Sequence, residues 1–179
     1  MRKINVIGTS GSGKSTLAKA LATKLGYPYI EMDALFWQAN WTETPDKDFF
    51  PKVQAALDQE TWVLDGNYTR TIPIKWEHAD TAIWIDLSFW RTLYQVSRRT
   101  MIRLFSGVEL WPGTNNRQTL QTFFSKHNII LWSLRNYFPT RRKYLRMMVD
   151  PAYSHIRFVH LSGRKAVRTY LAAISVDQE

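Results

Sequence analysis

Short apolar runs alternate with segments of helical periodicity along most of the chain. The apolar runs cover residues 3–7, 27–33, 61–64, 81–85 and 157–161, and each is too short and too continuous for an amphipathic helix. Between the first two runs, Leu17, Leu21 and Leu25 recur at helical spacing until Gly26, a typical helix end. This alternation predicts an α/β fold: a five-strand parallel sheet covered by helices on both faces.

Further helices are predicted to begin at residues 44–46, to cover 88–105 and 119–138, and to close the chain with Val167, Leu171 and Ile174 on the inner side. For the helix over 119–138, the spacing predicts an inner face of four residues: Phe124, Leu131, Leu134 and Phe138. Pro139 is predicted to end that helix. The chain is long enough for one domain with a sizeable core, and we expect a single domain over residues 1–179.

The turn after the first strand matches a phosphate-binding loop, G-x-x-x-x-G-K-[ST], at every position from Gly8 to Ser15. Glycines let backbone N–H groups point inward at phosphate oxygens, and the following helix N-terminus adds partial positive charge. Lys14 is predicted to reach the β- and γ-phosphates of ATP, and the Ser15 hydroxyl to bind Mg²⁺. The predicted nucleotide-binding set is Gly8, Gly11, Ser12, Gly13, Lys14, Ser15 and Thr16. The loop, combined with the alternating strands and helices, predicts the three-layer α/β/α fold of P-loop NTPases.

Acidic or polar residues follow the apolar runs, at the edge where ligands bind in parallel sheets. Asp65 follows an apolar strand as a Walker B-type carboxylate does, so it is a candidate Mg²⁺ ligand; the alternative is a simple Asp-Gly-Asn turn. Asp33 could accept a proton from a hydroxyl acceptor or orient it, or it could be a helix N-cap. Nearby, Phe36, Trp37 and Trp41 could form a stacking wall for a planar acceptor or belong to the core.

Charge is distributed unevenly along the chain. Of a formal net charge of +9, the segment from Arg91 to Val149 holds eleven Lys/Arg and a single acidic residue, Glu109. Such a segment suits phosphorylated ligands or nucleic acid, although it could be a solvated surface. A cationic, lid-like segment is therefore expected at about residues 99–150, where Arg99 and Arg103 share one helical face.

Composition excludes several classes of protein. The absence of cysteine excludes disulfides and thiolate metal sites, and the four histidines have no metal-ligand spacing. No apolar run approaches the length of a membrane span, so we expect a cytoplasmic location and no membrane partner.

Together the motifs resemble the adenylate kinase-like branch of P-loop proteins, the nucleoside monophosphate kinases. Residues 63–71, VLDGNYTRT, look like that family's L-D-G-F-P-R-T, and residues 162–167, SGRKAV, look like the segment that lies beside adenine. The resemblance implies that Asp65 sits near Mg²⁺, Arg70 contacts the acceptor, Arg99 contacts phosphates and Gly163 lies at the adenine.

The acceptor side departs from this family. The family's AMP-binding motif T-G-D-x-x-R has no counterpart in this chain. Residues 31–37, EMDALFW, stand in its place and are closer to the D-x-D motif of shikimate kinase. The D-x-L-F-W and W-x-L-D-G-N-Y combination is most similar to a bacterial group named for DNA topology modulation.

Two functions compete. The first is a kinase that transfers the γ-phosphate of ATP, with Mg²⁺, to a small acceptor. Its predicted catalytic residues are Lys14, Asp33, Asp65 and Arg99. The residues predicted to contact the acceptor are Asp33, Trp37 and Arg70. The second is a nucleic-acid-associated ATP-binding protein that uses a basic surface over residues 91–146, with interspersed aromatic residues for base stacking: Phe123, Phe124, Trp132, Tyr137 and Tyr144. The full loop, Asp65, the carboxylate of Asp33 and the cationic lid-like segment favour the kinase, and the intact Lys14-Ser15 pair disfavours a degenerate structural protein.

Overall fold

A five-stranded parallel sheet forms the centre of the computed structural model, which describes residues 1–123 and 129–174, except for the side chains of residues 122 and 123. The strands are β1 (Lys3–Gly8), β2 (Tyr29–Glu31), β3 (Trp37–Gln38), β4 (Thr42–Glu43), β5 (Trp62–Asp65), β6 (Thr81–Asp86) and β7 (Arg157–Ser162). The main sheet has the order β2-β5-β1-β6-β7, and all its neighbouring strands are parallel. The predicted five-strand parallel sheet is therefore confirmed.

Helices connect the strands and cover the sheet. They are α1 (Lys14–Leu25), α2 (Met32–Phe36), α3 (Asp46–Leu57), α4 (Ile72–His78), α5 (Phe89–Ser106), α6 (Leu120–Phe123), α7 (Ile129–Met147) and α8 (Arg164–Ala173). Short 3₁₀ turns lie at Ala39–Trp41, Thr69–Thr71 and Pro151–Tyr153. The end of α1 at Gly26, in the left-handed region with φ 69°, agrees with the sequence-based prediction.

The strands alternate their side chains between two hydrophobic clusters, which gives the fold its three layers. On β1, Ile4 and Val6 face α1 and α8, whereas Ile7 faces the larger cluster, to which α3 and α4 contribute. The larger cluster also takes Trp84 from β6 and Tyr144 from α7. Both faces of the sheet are thus buried, as a parallel sheet requires.

The packing of α7 differs from the sequence-based prediction in two ways. Pro139 lies inside a helix that runs on to Met147, so the predicted helix end is wrong. The inner face consists of Ser133, Tyr137 and Tyr144, whereas Leu131 and Phe138 are exposed. Tyr137 donates its hydroxyl proton to the Leu87 carbonyl oxygen at 2.7 Å, and Tyr144 packs in the larger cluster. These anchors on both sides of Pro139 set the helix phase, because tertiary packing outweighs the local cost of a proline. Phe124 lies outside the described residues.

The segment after β2 also differs from the prediction. The strand ends at Glu31, and Asp33 is the second residue of α2 rather than part of a strand. Glu31 occupies the N-cap position of α2, so the interpretation of Asp33 as an N-cap is wrong. Beyond α2, the aromatic stretch folds into the β3–β4 hairpin, where Trp37 pairs with Glu43 and Gln38 with Thr42.

The described part of the predicted lid-like segment consists of the second half of α5, the loop that follows α5, the short helix α6, and α7. Its mobility stays a prediction. Among the described residues, no helix combines the length and the apolar character needed to cross a bilayer.

Candidate functional site

The loop between β1 and α1 has a backbone that only its glycines permit. Gly8 has φ 154°, and a Cβ there would lie 2.6 Å from Ser12 Oγ and 2.8 Å from the Ile85 carbonyl oxygen. Gly11 has φ 83°, and its Cβ would lie 3.0 Å from atoms of Thr92 and Val96 in α5. Gly13 occupies the N-cap position of α1 with φ 92° and no side-chain capping bond. The first N–H groups of α1 are therefore available to an anion.

Asn67 braces the start of this loop from the neighbouring turn. Its Oδ1 accepts from the Gly8 N–H at 3.1 Å, and its Nδ2 donates to the Gly8 carbonyl oxygen. The Tyr144 hydroxyl donates to the same Oδ1 at 3.1 Å. The sequence presents Asn67 only as part of a turn. Its bracing role depends on contacts 59 residues away along the chain, so no local signal reveals it.

A cleft of about 600 Å³ opens in front of the loop. It is lined by Gly11, Gly13, Lys14, Ser15 and Thr16 from the loop and α1, by Tyr94, Gln95, Arg98, Arg99 and Arg103 from α5, and by Arg164 from α8. Five cationic side chains thus line one cleft. Lys14 makes no ion pair with any described residue, which leaves its ammonium group available to a ligand.

Arg99 is the arginine most closely tied to the loop. Its Nη2 donates to Ser10 Oγ at 2.8 Å, while its buried Nε has no hydrogen-bond partner among the described residues. Burial and the nearby charge of Arg103 together lower the pKa of Arg99 to about 10, whereas Asp33 and Asp65 act in the opposite direction. Arg99 therefore stays charged at neutral pH and carries a donor without a partner.

Asp65, the last residue of β5, lies beside β1 in register with Val6. Its side chain is buried; Oδ2 accepts from the Tyr29 hydroxyl at 3.1 Å, and Oδ1 has no partner among the described residues. Burial raises the pKa of Tyr29, and the carboxylates of Asp65 and Glu31 raise it further. Tyr29 therefore stays protonated and donates a hydrogen bond to Asp65 Oδ2, while Asp65 Oδ1 has no partner among the described residues.

Asp33 is held in a similar way by Tyr68. The Tyr68 hydroxyl donates to Asp33 Oδ1 at 2.8 Å. Burial raises the pKa of Tyr68, and Asp33 adds to that shift, so the phenol stays protonated. Arg103 lies close enough to Asp33 and Glu31 for both carboxylates to oppose the burial that lowers its pKa. A carboxylate with one free oxygen thus lies beside the arginines of the cleft.

Three tryptophans form a cluster next to Glu31. Trp37 lies nearly parallel to Trp111, with ring centroids 6.4 Å apart, and Trp41 meets both edge-on. Trp111 comes from the loop after α5, and its Nε1 donates to Glu31 Oε1 at 3.1 Å. The fully buried Asn116 fastens this loop to the hairpin, since it accepts from the Trp41 N–H and donates to the Gln38 carbonyl oxygen. Trp37 and Trp41 are partly exposed, whereas Phe36 is a core residue.

Two other predicted site residues lie at the margin. Arg70 is exposed; it pairs with Asp46 at 3.2 Å and covers the rings of Phe36 and Phe49. Gly163 is the N-cap of α8, next to Arg164, whose Nη2 donates to Gln95 Oε1 at 2.7 Å. Their contacts with acceptor and adenine stay predictions.

The fold and the loop are those of P-loop proteins, and parts of the chain are similar to known kinases. The family model "Shikimate kinase" matches residues 10–55, which hold most of the loop, α1 and Asp33. A probable gluconokinase of Schizosaccharomyces pombe is 60% identical over 35 residues, which are 20% of this chain and 18% of that protein. A shikimate kinase of Synechococcus sp. is 28% identical over 100 residues, 48% of this chain and 50% of that protein.

A solved structure agrees in fold. Shikimate kinase from Acinetobacter baumannii, in complex with shikimate, has a TM-score of 0.57 at 15% identity and covers 96% of this chain and 89% of that one. The chain spans at most half the length of the curated relatives that it matches. The similarity therefore shows the P-loop kinase fold and a shared phosphate-binding region. It supports the broader part of the resemblance to P-loop kinases, while the likeness to DNA topology modulation proteins stays a prediction.

Proposed function

We propose that this protein is a small-molecule kinase that transfers the γ-phosphate of ATP to a hydroxyl group. One observation carries the proposal: five buried side-chain polar atoms lack partners among the described residues, and three of them belong to residues of the predicted site. These three are Ser12 Oγ, Arg99 Nε and Asp65 Oδ1. Buried polar atoms are rarely left unpaired, and these three match the donors and acceptor that a nucleotide with its metal ion needs.

The donor site follows from the loop. The N–H groups at the start of α1 and the ammonium group of Lys14 would hold the phosphates, and Arg99 would add charge at the group in transfer. Phosphoryl transfer needs mainly positioning and positive charge, which the five cations of the cleft supply.

A magnesium ion fits the residues present, as part of the ATP·Mg²⁺ substrate. Asp65 Oδ1 is a buried, unpartnered carboxylate oxygen, and Ser15 offers a hydroxyl at the start of α1. The described residues form no cluster of three or more His, Cys, Asp or Glu side chains that could hold a metal alone. That suits Mg²⁺, which keeps several waters and binds to one or two protein groups plus substrate phosphates. Bound there, the ion would neutralise developing charge.

The acceptor would lie between Asp33 and the arginines. Asp33 Oδ2 is free to accept the hydroxyl hydrogen, since Tyr68 holds Oδ1. The hydroxyl oxygen bonds to the γ-phosphorus, the bond from that phosphorus to the bridging oxygen breaks, and ADP leaves with the electron pair. Trp37 and Trp111 would provide an apolar wall for the carbon skeleton of the acceptor. Shikimate and gluconate, taken from the names of the relatives, are the first acceptors to test.

The proposal is tested by acceptor-dependent ADP formation from ATP·Mg²⁺. Shikimate, gluconate, nucleosides and nucleoside monophosphates would be screened with the wild-type protein. Lys14→Ala should reduce turnover at least about a hundredfold, because it removes a charge that acts on the phosphates in the transition state.

The matched control is Lys52→Ala, which removes an exposed lysine on α3. It should leave turnover unchanged, and both variants should keep the wild-type circular dichroism spectrum. Wild-type turnover in a folded Lys14→Ala protein would reject the mechanism.

The alternative, a nucleic-acid-associated ATP-binding protein, loses part of its support. Tyr137 and Tyr144 are 6% and 1% exposed, so they cannot stack on bases; Phe124 and the side chain of Phe123 lie outside the described residues. Trp132 is 45% exposed and keeps this alternative open as a prediction. A near-zero dependence of duplex binding on salt concentration would reject it.

A further inference from the structure

Exposed large hydrophobic residues are concentrated in the segment that carries the positive charge. Of the exposed large hydrophobic side chains in the described residues, all but Met1 lie between residues 90 and 149. On α7, beside the buried Tyr137 and Tyr144, Trp132 is 45% exposed, Phe138 54% and Leu145 42%, and Val149 just beyond the helix is 81% exposed. We call these residues, together with Arg135, Arg142 and Arg146 between them, the α7 outer face.

The arginines of the α7 outer face have no partners. Arg135, Arg142 and Arg146 make no ion pair or side-chain hydrogen bond with any described residue. By contrast, the neighbouring Arg141 pairs with Asp86 at 3.0 Å. The sequence has no acidic residue from 110 to 149, so α7 itself carries no carboxylate to offset this charge. A cationic surface of this kind is complementary to an anionic one.

The apolar part of this surface continues onto α5. The Phe138 ring stacks on Phe89 with centroids 5.7 Å apart, and Phe89 meets Trp90 edge-on at 5.1 Å. Trp90 itself is 75% exposed. Two packed helices therefore present one surface of mixed aromatic, aliphatic and arginine side chains. Contiguous apolar exposure of this kind marks an interaction site rather than ordinary solvated surface.

We propose that the α7 outer face, together with Trp90, binds the surface of a bilayer that contains anionic lipids. Arginines attract lipid phosphates, while exposed aromatic and aliphatic side chains enter the boundary between headgroups and acyl chains. Nucleic acid fits this surface less well, because nucleic-acid interfaces are more polar than a surface that includes Leu145 and Val149. This proposal departs from the expectation of no membrane partner, which rested on the lack of a spanning run; a surface-bound protein needs no spanning helix, and none occurs among the described residues.

The proposal is tested by co-sedimentation of the full chain with vesicles. Vesicles of phosphatidylcholine alone are compared with vesicles that also contain phosphatidylglycerol, at several salt concentrations. We expect binding only to the anionic vesicles. The double variant Arg142→Gln/Arg146→Gln should bind about 25-fold more weakly, since each cation near an anionic surface contributes about fivefold. Leu145→Gln/Val149→Gln should also weaken binding at least about tenfold, because the inserted apolar area is lost.

Arg168→Gln is the matched control, because it removes an exposed arginine on α8 and should leave binding unchanged. All the substituted side chains are exposed, so each variant should fold, as thermal unfolding will verify. Failure of the wild-type protein to bind anionic vesicles would overturn the proposal. It would equally be overturned if Leu145→Gln/Val149→Gln bound normally and the arginine variant lost duplex DNA binding, which would identify a nucleic-acid surface.

Discussion

Lys75 is a buried lysine without a carboxylate partner, and this should make the stability of the protein depend on pH. It lies on α4 with 1% of its surface exposed, and its Nζ donates to the Gly66 carbonyl oxygen at 3.1 Å. No described carboxylate pairs with it. Burial, and to a smaller extent the nearby Lys143, lowers the pKa of Lys75 to about 7.

The size of the effect follows from the difference between the folded and unfolded pKa. A drop from 10.5 to about 7 corresponds to about 5 kcal/mol of unfavourable free energy when the group is charged in both states. That cost is fully present below the folded pKa. Between about pH 7 and 10.5 the unfolded chain binds the extra proton, so Lys75 makes stability rise with pH. From about pH 7.5 to 9.5 the gain should be about 2.5 kcal/mol.

Replacing Lys75 with methionine should abolish this gain and stabilise the protein by a few kcal/mol near pH 7. The Gly66 carbonyl oxygen keeps a donor in Asn5 Nδ2, at 3.3 Å, so the substitution leaves no unpaired acceptor. The assay is urea unfolding of both proteins at several pH values, with the difference in unfolding free energy plotted against pH. Other titrating groups cancel in that difference. A difference that does not change with pH would refute the reasoning.

Two further predictions concern the residues that support the site. Gly66→Ala should destabilise the protein by about 1–3 kcal/mol, because the new Cβ would lie 2.6 Å from Met32 Cβ and φ is 155°; an unchanged urea midpoint would contradict this. Tyr68→Phe should keep the fold but lower kcat about tenfold, since Asp33 loses the hydrogen bond that orients it. Steady-state kinetics check this, and an unchanged kcat would show that Asp33 is positioned by other contacts.

The parts of the site that the sequence predicts are those built from neighbouring residues. The loop from Gly8 to Ser15, the helix after it and the strand before Asp65 each depend on local pattern, and the structure has all three elements. The sequence predicts Asp33 at the end of the strand β2, but the structure has it in the helix α2. The reason is that Met32 begins a helix that the short apolar run over residues 27–33 does not reveal.

Contacts between distant segments could not be predicted. Trp111 reaches Trp37 across 74 positions of the chain, and Asn116 fastens its loop through backbone groups of the hairpin. Likewise, apolar spacing alone predicts the wrong inner face for α7, with Leu131 and Phe138, because both sides of the helix carry aromatic residues. The buried Tyr137 and Tyr144 settle the phase, and their partners lie in other layers of the fold.

The polar groups around the loop from Gly8 to Ser15 differ in whether they have hydrogen-bond partners within the protein. Behind the loop, polar atoms bond to protein: Asn67 holds both backbone groups of Gly8, and Asn5 bonds to Gly66 and to Trp76 Nε1 at 2.9 Å. At the predicted site itself, Ser12 Oγ, Asp65 Oδ1 and Arg99 Nε are buried and unpaired within the described residues. The other two unpaired buried side-chain atoms of the described residues, Trp62 Nε1 and Thr92 Oγ1, lie on β5 and α5. Because an unpaired buried polar atom costs about 1–3 kcal/mol, a ligand that pairs with Ser12, Asp65 and Arg99 would recover part of that cost. Nucleotide binding should therefore raise the thermal unfolding temperature, and Arg99→Met should reduce that rise without lowering the melting point of the free protein.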